Sequence, residues 1–212
     1  MAYAATPTSP TKPVQKLDFS IDWIKTYTDI LTSKECDMFI QLFEIMSQAN
    51  NVDKTKESYR RCQIFTQLDS NTALFEKVKV PVREALRRYK LDTGNGTLNF
   101  LSMIESPNLI KYTPKDPEGE NFFHPHADSW SMDSASRQLS IIFYLNDVAE
   151  GGETTFTDYN LSIAPKKGTI VIFPSNFSFI HTGEAPVSGP KYIIVTWLHF
   201  GGTGHGYRCH PL

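Results

Sequence analysis

The sequence predicts a mainly β fold preceded by helices, and three observations carry that expectation. From about residue 98 onward, short runs of β-branched and aromatic residues alternate with glycine and proline turns, the pattern of an all-β sandwich or barrel. Ahead of them, two segments repeat apolar residues at helical spacing. Helices in that position would pack on one face of the sheet that follows. The chain has 212 residues, which suits a single domain able to fold without disulfide staples.

Residues 1–16 are rich in Thr, Pro and Ser and hold almost no large apolar group. Such a segment buries too little to offset its ordering entropy, so a flexible tail is expected, with ordered structure from about Phe19. Residues 17–97 are read as helical support and 98–212 as the β portion of one domain. Thr32 to Glu35 fits a capping box, and Cys36, Phe39, Ile40, Phe43 and Met46 then share a helical face. A second helix follows Ser70, with Leu74, Val78, Val82, Ala85, Leu86 and Tyr89 on one side. Pro81 lies inside it and predicts a kink or a break. The cluster DTGNG (92–96) ends the helical part in a turn.

Strands are expected within 98–112, at Ser136–Asn146, Glu153–Phe156, Thr169–Phe173, Phe177–His181 and Tyr192–Phe200. Glu150-Gly-Gly152, Lys167-Gly168 and Gly189-Pro190 supply turns between them. Loops 47–69 and 113–123 are left as candidate lids.

Lys plus Arg number 21 and Asp plus Glu 23, a net charge of −2. A protein that coats nucleic acid is usually basic, so that class is disfavoured. The 3 cysteines have no CxxC spacing, which argues against a disulfide framework and agrees with a reducing compartment. The first residues hold no apolar run of secretory type, and no stretch is long and apolar enough to span a membrane. A cytoplasmic protein of bacterial or viral origin, with no membrane partner, is the expectation.

One constellation carries chemistry. His126 and Asp128 are two residues apart, so on a strand both side chains reach the same side. His181 lies remote in sequence. Two imidazoles and a carboxylate hold a non-haem Fe(II) by one face and leave the other open. Three open positions accept a bidentate 2-oxo acid and dioxygen together. Asp128 also occupies the position a halide would need, which favours hydroxylation over halogenation. His124 has the same spacing to His126, but that pair would leave Asp128 without a role; His124 is read as a backing or solvent-facing group. Lys191 stands shortly after His181, a cation where an acidic co-substrate needs one. The bland alternatives remain open: surface groups at 126 and 128, a loop histidine at 181, and an exposed lysine after the Gly-Pro turn.

These positions lie within a longer pattern. RQLSIIFYLND (137–147), EGGETTF (150–156), PKKGTIVIF (165–173), HTGE (181–184) and GPKYIIVTW (189–197) together resemble the catalytic domain of prolyl 4-hydroxylases. These are Fe(II)/2-oxoglutarate dioxygenases built on a double-stranded β-helix. The resemblance covers about residues 100–200 closely; ahead of it, ILTSKECDMFI (30–40) is loosely similar to the helix that opens such domains.

The resemblance implies a fold and a set of roles. The fold is a double-stranded β-helix (jelly-roll) core flanked by packed helices. His126, Asp128 and His181 would bind Fe(II). Lys191 would pair with the far carboxylate of 2-oxoglutarate, a charge-assisted contact. Tyr112 and Ser140 would add hydrogen bonds to that carboxylate, and Trp197 would stand near the substrate mouth. The plain alternatives are a strand aromatic at 112, a small core residue at 140 and a core tryptophan at 197.

Arg137, Trp130, Arg60 and Arg61 are further candidates for touching substrate. Two departures stand out. The insertion TPKDPEGEN (113–121) separates Tyr112 from His126 more widely than the family pattern, and Phe123 replaces a second family tyrosine.

The activity implied is hydroxylation of proline in a peptide or protein, as in procollagen-proline 4-dioxygenases. O₂ and 2-oxoglutarate would be consumed, succinate and CO₂ released, and ascorbate would serve as an accessory reductant. A 2-oxoglutarate oxygenase of nucleobases or free amino acids is the alternative enzyme. The nucleobase type ranks low, because such enzymes hold 2-oxoglutarate with arginines after the last histidine and only Arg208 follows here. A non-catalytic β-helix binding module is the third reading, opposed by the intact set of His126, Asp128, His181 and Lys191.

Overall fold

A computed structural model describes residues 23–115, 119, 121–201 and 209–212. The expected tail 1–16, Phe19, part of the 113–121 insertion and Arg208 lie outside the described residues. In chain order the elements are β1 (Lys25–Tyr27), α1 (Ser33–Gln48), β2 (Asp53–Lys56), β3 (Arg61–Phe65), α2 (Thr72–Thr93), β4 (Leu101–Glu105) and β5 (Asn108–Tyr112). They continue with β6 (Phe123–His126), β7 (Leu139–Tyr144), β8 (Thr154–Phe156), β9 (Leu161–Ile163), β10 (Ile170–Pro174), β11 (His181–Gly183), β12 (Lys191–Phe200) and β13 (Cys209–Pro211). Short 3₁₀ turns lie at Leu68–Ser70, Gly96–Phe100 and Thr157–Tyr159.

The helix starts are fixed locally. Thr32 and Glu35 form the capping box at α1, and the Asn71 side chain accepts from the Leu74 N–H at α2. Gly94 ends α2 with a left-handed φ of 63°, which glycine adopts without steric cost. Pro81 does not break α2: one helix runs from Thr72 to Thr93 through it. Proline removes one backbone hydrogen bond there, and the buried faces of the flanking turns, Val78 and Val82, Ala85 and Tyr89, pack into the core on both sides of it.

All strand pairings are antiparallel and form two sheets. The major, nine-stranded sheet runs β1-β10-β7-β12-β5-β3-β2, with β4 beside β12 and β13 beside β4. The minor, four-stranded sheet runs β6-β11-β8-β9. Strand alternation divides the major sheet cleanly. Ile141, Phe143, Ile170, Ile172, Ile194 and Leu198 join Phe39, Phe43, Val82 and Tyr89 of the helices in one apolar cluster. Their strand neighbours Ile142, Tyr144, Val171, Phe173, Ile193 and Trp197 form a second cluster with Phe156 of β8 and Phe179. Strands buried on both faces read as near-continuous apolar runs, and β7 and β12 do so apart from Ser140, Lys191, Thr196 and His199.

Three parts of the chain differ from the expectation. Residues 47–69 hold the hairpin β2–β3, joined to β5 through β3, rather than a continuous loop. Phe177 to Ile180 is a turn, and the strand begins only at His181. The Asn176 side chain accepts from the Ser178 N–H at 3.0 Å, and the Phe179 N–H donates to the Asn176 carbonyl at 3.0 Å, closing that turn. The 98–112 stretch divides at Ser106-Pro107 into β4 and β5. Among the described residues no helix is long and apolar enough to cross a membrane.

Candidate active site

β6 and β11 lie side by side in the minor sheet, and their register sets His126 opposite His181. Asp128 follows two residues after His126, in a bend just past the end of β6. One ligand atom from each of the three groups falls within 4.8 Å of the others. Asp128 and His181 are 7% and 5% exposed.

The imidazoles are oriented from behind. His126 Nδ1 is 2.7 Å from the His124 carbonyl, and His181 Nδ1 is 3.1 Å from the Phe179 carbonyl. A carbonyl only accepts, so both Nδ1 atoms carry the proton and both Nε2 lone pairs are left free. Those Nε2 atoms stand 3.7 and 3.8 Å from the two Asp128 oxygens, beyond hydrogen-bond reach. The three donors converge without pairing off, as a metal site requires. Burial, then His181, push His126 down to about 4, so its ring is neutral near pH 7. Burial works against the Asp128 charge, but His181, His126, the Ser140 hydroxyl and the Trp197 indole hold its carboxyl below the usual range.

Asp128 has its own support. Ser140 Oγ donates to Asp128 Oδ2 at 2.5 Å and lies 2.8 Å from Ser175 Oγ. Arg137 grips Glu105 with two hydrogen bonds of 2.8 and 2.6 Å, and its Nη1 donates to the Asp128 carbonyl at 3.1 Å. Its guanidinium lies 3.6 Å over the Trp197 ring. Ser140 and Arg137 therefore stand behind the carboxylate: the first was expected at a co-substrate, the second at a substrate.

The three donors open into a cavity between the sheets, whose far wall carries Lys191, Tyr112, Ile193, Val195 and Trp197. Lys191 is paired in register with Tyr112. Its Nζ is 5.6 Å from the Tyr112 ring and 5.5 Å from the Tyr144 ring. Only 2% of Lys191 is exposed, and among the described residues it makes no ion pair. Burial pushes its ammonium down to about 8 against the pull of Glu153 and Glu184. The Trp197 indole N–H is buried beside Asp128.

A buried cation facing three convergent donors is a cradle for a divalent ion and an anion together. Gly152, at φ 76°, turns the chain beside this lysine in a left-handed conformation that L side chains rarely adopt.

Sequence reasoning did not find Thr154, Tyr144 or Glu105. Thr154 lines the cavity and accepts from the Tyr144 hydroxyl at 2.6 Å. It sits in the EGGETTF segment, which was the available signal. Glu105 carried none, because its partners Arg137 and His199 are distant in sequence. Arg60 lines the cavity beside Phe123. Trp130 is 74% exposed and does not line it.

The family model described as the 2OG-Fe(II) oxygenase superfamily matches residues 108–199. A PKHD-type hydroxylase of Crocosphaera subtropica is 28% identical over 189 residues, 83% of this chain and 78% of that protein. Prolyl 4-hydroxylase subunit alpha-1 of Gallus gallus is 32% identical over 93 residues, 36% of this chain; the match spans only 18% of that longer protein. Among solved structures, the viral collagen prolyl hydroxylase of Paramecium Bursaria Chlorella virus-1 aligns with a TM-score of 0.64 at 20% identity, covering 85% of this chain and 97% of that one. The chain thus resembles the prolyl 4-hydroxylase-like Fe(II)/2-oxoglutarate oxygenases in family model, curated relatives and fold.

Proposed function

We propose, from that resemblance, that the protein is an Fe(II)- and 2-oxoglutarate-dependent hydroxylase. Its substrate in this reading is a prolyl residue of a peptide or protein, and residues 17–212 act as one catalytic domain on a double-stranded β-helix. The observation that carries the reading is a juxtaposition. Three oriented donor atoms lie within 4.8 Å of one another, and a buried lysine with no ion pair among the described residues shares their cavity.

The residues divide the work. His126 and His181 offer their Nε2 atoms and Asp128 its carboxylate to Fe(II). Ser140 and the Arg137–Glu105 pair hold that carboxylate in place. Lys191 takes the far carboxylate of 2-oxoglutarate, and Tyr112 stands beside the same end. Ile110, Ile142, Ile193 and Val195 wall the cavity, which keeps water from the ion pair and strengthens it. When bound, Fe(II) supplies the activation of O₂ that converts 2-oxoglutarate to succinate and CO₂ and leaves one oxygen atom on a substrate C–H. Trp197 and the exposed Trp130 flank the substrate's entry.

The test is succinate release from 2-oxoglutarate with Fe(II) and ascorbate, with hydroxylation of proline-containing peptides read by mass. The reading expects Fe(II)-dependent succinate that rises when such a peptide is added. Peptides left unmodified beside full 2-oxoglutarate turnover would reject the prolyl substrate while leaving the oxygenase.

A further inference from the structure

We infer that the substrate carries a carboxylate and that Arg60 receives it; this rests on the hydroxylase reading above. Arg60 lies at the end of the β2–β3 turn, bridged to Phe123 at the start of β6. Its guanidinium stands 4.7 Å over the Phe123 ring. That ring in turn stacks on the His126 imidazole at 3.5 Å. Arg60 therefore reaches the cavity shared by His126, Asp128 and Lys191.

Among the described residues, the polar groups set directly against Arg60 are uncharged. Its polar neighbours are the Tyr112 hydroxyl and the Cys62 thiol. Burial raises both of these above their ordinary ranges, so neither is an anion near pH 7. Among the described residues no carboxylate pairs with Arg60, and its Nε is buried without a hydrogen-bond partner. A guanidinium stays charged at every relevant pH, and a covered charge without a counter-ion is costly.

Arg137 gives the internal control. It too is covered and lies against an aromatic face, yet it grips Glu105 through two hydrogen bonds. The fold neutralises one arginine beside the site and leaves the other open toward the cavity.

Charge balance points the same way. Asp128 and doubly negative 2-oxoglutarate together match divalent iron and Lys191. Among the described residues Arg60 is then the positive charge in the cavity without a carboxylate partner, and the ligand yet to enter is the substrate. Two sources supply the carboxylate: a free imino or amino acid, or an acidic residue or C-terminus in a peptide. A guanidinium takes either by the same fork of N–H groups.

The experiment uses the full chain and three probes: free L-proline, a proline peptide with a glutamate beside the proline, and the same peptide with glutamine there and both ends blocked. Binding is measured by calorimetry without O₂, on metal-free protein and on protein loaded with Fe(II) and 2-oxoglutarate. Wild type is expected to bind at least one carboxylate probe about tenfold or more tighter than the neutral peptide, the effect of a charge-assisted contact. The probe that shows the preference identifies the source. Arg60→Gln should erase the preference and leave the 2-oxoglutarate requirement unchanged. Arg60→Lys, which keeps the charge, should retain part of it.

No preference in wild type overturns the inference. So does Arg60→Gln weakening all probes equally with a lower Tm, which makes Arg60 structural, or raising the 2-oxoglutarate requirement, which makes it a co-substrate residue. Wild type that binds neither Fe(II) nor 2-oxoglutarate overturns the hydroxylase reading itself.

Discussion

The two faces of the major sheet are built from the same strands to opposite ends. On β12, Tyr192, Ile194 and Leu198 turn to the helices, and Lys191, Ile193 and Trp197 turn to the cavity. On β7, Ile141 and Phe143 face the helices while Ser140 backs the Asp128 carboxylate. The helix side is nearly continuous hydrocarbon and supplies stability. The cavity side carries a buried ammonium and a covered carboxylate, groups that cost stability until something binds. Residues one apart on a strand should therefore fail in different ways when replaced.

The sharpest contrast is expected at Asp128. Asp128→Ala should lose bound Fe(II) and all 2-oxoglutarate turnover with no comparable fall in Tm, measured by metal analysis alongside thermal unfolding. An unfolded variant would erase the distinction between the faces. Phe143→Ala, on the helix side, should cost about 3–5 kcal/mol of stability by denaturant unfolding. Its Fe(II) stoichiometry per folded molecule should stay intact.

Lys191→Met comes next. Removing the sole charge at the far wall should raise the 2-oxoglutarate requirement on the order of 100-fold, from the loss of about 2–3 kcal/mol of charged hydrogen bonding. Tm should hold or rise, because hydrocarbon replaces an unpaired buried cation. A falling Tm with an unchanged 2-oxoglutarate requirement would make Lys191 a core residue.

Dependence on pH reads the same group more gently. Burial lowers Lys191 to about 8, so it is charged below that pH and neutral above it. Affinity for 2-oxoglutarate, titrated by calorimetry, should be flat below about 8. Above that point it should fall by about tenfold per pH unit, since the ligand must then bring a proton with it. A flat profile to pH 10 would remove the lysine from the contact.

The smallest expected effect is at Ser140. Ser140→Ala should weaken Fe(II) affinity by about tenfold, the low end for a group that orients a metal ligand.

Much of this was legible in the chain. The His126–Asp128 pair shows as a short motif, His181 and Lys191 stand out by residue type farther along the chain, and the structure gathers all of them around one cavity. Thr32 with Glu35 and Gly94 announced the ends of their helices through backbone chemistry that acts within a few residues. The β2–β3 hairpin was hidden because DKTK is an exposed edge segment without apolar alternation. Pro81 predicts a kink or a break, yet one helix runs through it, because local propensity does not register the core packing on both sides. The roles of Ser140, Arg137 and Arg60 depend on partners brought together by the fold. The resemblance set Ser140 at the co-substrate, whereas its hydrogen bond to Asp128 and the grip of Arg137 on Glu105 are contacts that only the fold supplies.

The most direct test is the visible charge-transfer absorption of a 2-oxo acid chelated to ferrous ion, recorded without O₂. The band is expected in wild type, absent in Asp128→Ala, and present in Lys191→Met only at much higher 2-oxoglutarate. A band of equal strength in Asp128→Ala, or no band in wild type under saturating Fe(II) and 2-oxoglutarate, would contradict a metal centre at these three residues.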